Sequence, residues 1–74
     1  MKKNLKGRKA IIVSDNENYD QFRDQLLTIT HVAYSVNEHP GYDKSCEGQA
    51  LCDFTTTDGQ PVPFSLYEYE FDLQ

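Results

Sequence analysis

The apolar segments of this chain are short, and those that are regular run with period two. LLTITHVAYSV, residues 26–36, sets Leu27, Ile29, His31 and Ala33 on one side and Thr28, Thr30, Val32 and Tyr34 on the other. That is the repeat of a strand. KAIIVSD, residues 9–15, is a brief run rich in β-branched residues and reads as a first strand. QALCDFTTT reads as another, with Ala50, Cys52 and Phe54 inward. Asp58-Gly59 then gives the strongest hairpin signal in the chain. QPVPFSL resumes as a strand that its two prolines confine to an edge or to brief pairing. The chain closes on SLYEYEFDLQ, where Tyr67, Tyr69, Phe71 and Leu73 fall on one face and Glu68, Glu70 and Asp72 on the other. No apolar run approaches the roughly 20 residues that span a bilayer. The basic start MKKNLKGRK is followed only by AIIV, too short for a signal-peptide core, so the expectation is a cytoplasmic protein with no membrane contact.

Two segments separate these strands. NEHPGYDKSCEG, residues 37–48, carries Pro-Gly and a second glycine and is a loop. DNENYDQFRDQ is ambiguous. Tyr19, Phe22 and Leu26 stand at helical spacing behind Ser14 or Asp15 as an N-cap, but the same residues also suit an ordered loop pinned by two aromatics. Five short strands in 74 residues cannot bury two faces as a flat sheet. Curling into a small barrel removes most edges and turns every inward position into core. The expected fold is therefore all-β, a small five-stranded barrel over residues 7–74, behind a basic, partly flexible arm at 1–6. The alternative is α+β, one helix at about 15–25 packed on an antiparallel sheet. The expected core is Ile11, Val13, Leu27, Ile29, Cys52, Phe54, Leu66 and Phe71.

The layout resembles an SH3-like small barrel. LKGRKAIIV stands as first strand, NENYDQF as an aromatic-bearing loop, then LLTITHVA, a loop with HPGYD, ALCDF, the TTDG turn and PFSLYEYEFDL. The resemblance implies a tight helical turn near Ser65–Glu68 ahead of a closing strand. One departure is Asp24-Gln25, where such barrels often carry glycine before the second strand. HPGYD, ALCDF, DG and PFSLYEYE together also look like small uncharacterised phage or prophage proteins, a likeness that carries no activity.

Charge is divided unevenly. Lys2, Lys3, Lys6, Arg8 and Lys9 are followed by a body in which Arg23 and Lys44 face all twelve acids of a chain with net charge −5. An acidic body without a distributed basic stripe argues against nucleic-acid binding. Catalysis is not expected. The one Cys–His pair, His39 with Cys46, lies seven apart in a loop, and the four glycines are scattered. No cofactor or metal is expected, because His31, His39, Cys46 and Cys52 lack the tight pairs of a zinc site. Both cysteines are expected as free thiols, Cys52 buried and Cys46 exposed. In His39-Pro40-Gly41-Tyr42, a turn that lets Tyr42 cap one barrel end competes with a groove rim formed by His39 and Tyr42. Tyr19, Phe22, Tyr34, Tyr42 and Tyr67 form a candidate aromatic strip, and Glu68, Glu70 and Asp72 an acidic strand face. The leading expectation is a non-catalytic module that binds a protein partner, one with basic character, through that strip and face. The alternatives are an acidic inhibitor that imitates nucleic acid in a host protein's cleft, and a weak RNA- or DNA-binding barrel using the basic arm. The sequence leaves the oligomeric state open, with a monomer favoured.

Overall fold

The computed structural model describes residues 4–46 and 48–74. Five strands form one antiparallel sheet: β1 (Lys9–Ile12), β2 (Leu27–Ala33), β3 (Leu51–Thr56), β4 (Pro61–Tyr67) and β5 (Phe71–Leu73). Among the described residues their order across the sheet is β4-β3-β2-β1-β5, with β4 and β5 at the edges, so the sheet is not closed. The domain is all-β. The described residues form no α-helix, only 3₁₀ turns at Glu17–Phe22, Lys44–Cys46 and Glu68–Glu70. The α+β alternative is thereby set aside.

The core shows how far the sheet bends. The Phe54 and Phe71 rings meet edge to face with centroids 5.3 Å apart. Their strands, β3 and β5, are three steps apart in the sheet, which in a flat sheet is about 14 Å. Only strong curling brings them together. Leu27, Ile29, Cys52, Phe54, Leu66 and Phe71 are buried as expected.

Ile11 and Val13 are not. Val13 is 46% exposed, while Ala10 (1%) and Ile12 (4%) point inward. The run Ala10-Ile11-Ile12-Val13 is apolar at every position, so alternation alone does not choose its face. The pairings Ala10↔Leu27 and Ile12↔Phe71 do. Leu5, assigned to the arm, is buried against the core, and Gly7 N donates to Ile29 O at 2.7 Å. Lys2 and Lys3 lie outside the described residues.

A bulge redirects β2. Ile29 pairs with Phe54 but His31 pairs with Asp53, so Thr30 is an extra residue. Beyond it Val32 takes the inward side opposite Cys52. His31 faces solvent, its ring 6.4 Å from that of His39. A second shift in β3–β4 pairs Asp53 with Ser65 and Leu51 with Tyr67. Two cross-strand rows result on the outer face: His31–Asp53–Ser65, and Ala33–Leu51–Tyr67. The loop between β2 and β3 folds over both. Tyr42 is buried at 5%, and its hydroxyl lies 2.6 Å from the carbonyls of Cys46 and Gln49, which share its proton. The His39–Tyr42 turn is formed, with Tyr42 N donating to His39 O at 3.0 Å. Leu51 is accordingly buried on this side of β3 while Cys52 is buried on the other.

The first loop is held by Arg23. Its guanidinium forks onto Asp20 Oδ1 (2.9 and 2.7 Å), reaches Asn16 O (2.8 Å) and bonds Ser14 O. Asn16 Oδ1 caps the 3₁₀ turn through Asn18 N at 2.9 Å. Asp24 has φ 63°. That left-handed backbone is carried by one of the few side chains that tolerate it. The hairpin follows its signal, with Gly59 at φ 89° and Gly59 N donating to Thr56 O at 3.0 Å. β4 carries Pro61 and Pro63 and lies at the edge, as their missing N–H groups require.

Candidate functional site

The C-terminal segment is not one strand. β4 continues through Leu66 and Tyr67, which pair with Cys52 and Leu51. The helical turn therefore comes at Glu68–Glu70, about three residues later than expected, and β5 starts only at Phe71. This breaks the alternation of Tyr67 to Leu73. Phe71 is buried, but Tyr69, expected on the core side, is 66% exposed.

The row of outward carboxylates is broken by the same turn. Glu68 N donates to Ala50 O (3.1 Å), and Glu68 Oε1 accepts from Ala50 N (3.2 Å), clamping the turn to the start of β3. Glu70 Oε1 accepts from Tyr67 N (3.0 Å), and its Oε2 accepts from the Tyr19 hydroxyl (3.1 Å). Both carboxylates are half-buried, while Asp72 is exposed on β5. The three carboxylates therefore do not line one strand face at a regular spacing.

The aromatic residues fall into two groups joined through Glu70. Tyr19 and Phe22 pack on Phe64 of β4, with ring centroids 4.5 and 5.6 Å away. Tyr42 meets Tyr67 edge-on at 5.6 Å, and Tyr67 lies parallel to Tyr69 at 6.1 Å. The Tyr67 hydroxyl accepts from Asp43 N at 2.7 Å, tying the β2–β3 loop to the 3₁₀ turn. Tyr34 is half-buried against the core. The tyrosine that reaches furthest into solvent, Tyr69, is the one sequence reasoning sent inward. Only the position of the turn reveals it.

The electrostatics of this face are negative. The charge of Glu70 is the main reason the Tyr69 hydroxyl is held above its ordinary pKa, with burial, Cys46, Tyr67 and lastly Asp43 adding to it. Burial first, and then Glu70, raises Tyr19. Asp43 is held below the usual carboxylate range by hydrogen bonds from the Ser45 amide and hydroxyl (2.9 and 2.8 Å).

His39 joins a different cluster. Its Nε2 lies 3.3 Å from Asp53 Oδ1 and 3.2 Å from Ser65 Oγ, and the Ser65 hydroxyl donates to Asp53. Ser, His and Asp meet, but not in the wiring of a nucleophile and its base. His39 Nδ1 accepts from Gly41 N at 2.9 Å, so the neutral ring carries its proton on Nε2 and has no lone pair there for the Ser65 proton. The cluster anchors the loop over the His31–Asp53–Ser65 row. Sequence gave no sign of it, because a hairpin counted back from Asp58-Gly59 without the bulge sets Asp53 opposite Pro63.

Cys46 is half-buried rather than exposed, and Cys52 is buried. Two hollows lie on the described surface. A groove of about 500 Å³ runs between the first 3₁₀ turn and the β3–β4 hairpin, with Phe22, Pro61 and Pro63 among its walls. A cleft of about 140 Å³ lies among Leu5, Glu68, Phe71 and Leu73. Among the described residues no group of three or more His, Cys, Asp or Glu is placed to hold a metal ion, and no helix is long and apolar enough to cross a membrane. No protein-family model, curated protein or solved structure matches this chain.

Proposed function

We propose that this chain is a non-catalytic protein-interaction module, an SH3-like small barrel acting in the cytoplasm, that docks a basic segment of a partner protein on the face around Tyr69. The strand order β4-β3-β2-β1-β5, with a 3₁₀ turn between β4 and β5, supports the barrel kinship. Tyr69 carries the docking reading: it is two-thirds exposed, parallel to Tyr67, and flanked by Glu70 and Asp43. A held aromatic ring offers contact area at little entropic cost, and surrounding carboxylates steer a positive partner. Tyr42, Tyr67 and Glu68 build and support this face, Tyr19 and Phe22 stand beside it in the Phe64 group joined through Glu70, and His39 fixes its loop from behind. Asp72 adds charge from β5. The likeness of the short motifs to phage and prophage proteins points to a host protein as the partner.

The test compares the parent with Tyr69→Ala. An exposed position predicts a melting temperature changed by no more than a degree or two. A partner retained by the parent should bind the variant at least several-fold more weakly, and its affinity for the parent should fall with added salt. A purified partner that binds both proteins equally would remove Tyr69 from the interface and end the proposal.

A further inference from the structure

We infer that this face takes an arginine side chain of the partner, its guanidinium stacked on Tyr69 in the negative field of Glu70 and Asp43. The inference rests on the docking reading above and specifies the group recognised. Tyr69 leaves most of its ring in water, beside a second ring parallel to it. A guanidinium is flat, delocalised and weakly hydrated, so it covers such a ring and is drawn by its quadrupole.

The carboxylates supply the second half of the site. Glu70 and Asp43 meet no cation among the described residues. Their partners are the Tyr19 hydroxyl, the Tyr67 amide, and the amide and hydroxyl of Ser45. Both Ser45 bonds use Asp43 Oδ1, which leaves Oδ2 to accept from a ligand. Arg23 spends its fork on Asp20 in the first loop. The charge of Glu70 is the first cause, and that of Asp43 the last, of the upward shift of the Tyr69 hydroxyl. The receptor is also rigid. Tyr67 is held at its hydroxyl by Asp43 N and at its amide by Glu70, and Tyr42 backs its ring. Lysine fits less well, since its ammonium is compact, strongly hydrated and unable to lie flat on a ring.

The experiment titrates the isotope-labelled protein with a synthetic Gly-Arg-Gly-Arg-Gly peptide and with matched lysine and citrulline peptides, followed by amide and tyrosine-ring resonances. The arginine peptide should shift Asp43, Tyr67, Tyr69 and Glu70 to saturation. The lysine peptide should bind roughly three- to tenfold more weakly and the citrulline peptide not at all. Tyr69→Ala and Asp43→Asn should each weaken the arginine peptide by a similar factor, with the rest of the spectrum unchanged. Equal binding of arginine and lysine, or no localised shift, overturns the inference. Competition separates it from the reading beneath it. If a partner binds through Tyr69 but the arginine peptide neither shifts the face nor displaces it, docking stands and arginine is wrong. If Tyr69→Ala leaves partner binding intact, both fail together.

Discussion

The contact between Phe54 and Phe71 gives the sharpest test of the fold, because it exists only if the sheet curls. The perturbation is a double-mutant cycle of Phe54→Leu, Phe71→Leu and the pair. Leucine keeps most of the volume, so each single change should cost about 1–1.5 kcal/mol, where alanine at Phe54 would cost about 3–5 kcal/mol. The milder change matters here, since a domain of this size has a total stability of about 4–11 kcal/mol. The rings are edge to face at 5.3 Å, a geometry whose coupling beyond area burial is about 0.5–1.5 kcal/mol. Each single change should therefore already lose that coupling, and the double variant should be more stable than the sum predicts by that amount. Urea unfolding followed by circular dichroism measures it. Two single costs that add to within about 0.3 kcal/mol would falsify the contact and with it the curvature, since residues about 14 Å apart in a flat sheet do not couple.

Burial pushes the Cys52 thiol up to about 12, so a thiol reagent at mildly alkaline pH should modify Cys46 alone until denaturant is added. The folded protein keeps a proton that the unfolded chain releases near pH 9, so this contribution is intact below pH 9 and is lost as pH climbs toward 12. Cys52→Ala should flatten that slope, and an unchanged slope refutes the assignment. Glu70→Ala should cost about 1–3 kcal/mol, because it strands the half-buried Tyr19 hydroxyl and the Tyr67 amide. The same variant should lower the Tyr19 titration in an ultraviolet pH series, and a neutral result would make Glu70 a surface charge only. Asp24→Gly should raise stability by a few tenths to about 1 kcal/mol, because φ 63° suits glycine better. A loss of stability would show that the Asp24 side chain contributes more than its backbone costs.

Strand existence was legible in the sequence because alternation and turn chemistry act locally. The Asp58-Gly59 hairpin and the proline-marked edge could be placed for the same reason. What was not legible depended on register. Ala10-Ile11-Ile12-Val13 offers apolar residues to both faces, and its choice is made by partners in β2 and β5. Thr30 looks like any strand residue, yet it is the bulge that turns His31 outward and brings Asp53 beneath His39. The candidate site shows the same division. Tyrosines and carboxylates near the C-terminus were visible as a group. Their arrangement was not, because Leu66 and Tyr67 extend β4 and delay the turn, and that delay sends Tyr69 out and draws Glu70 in.

The two rims of the open sheet restrict how anything can attach to it. β4 is long enough to template another strand, but Pro61 and Pro63 leave gaps in its row of main-chain donors. β5 is only three residues long. An incoming extended chain finds no continuous ladder on either side, so strand addition, with another protein or with a second copy, is discouraged at both rims. Any attachment at this sheet would fall to side chains, and so to the chemistry of the attaching groups rather than to the course of a backbone.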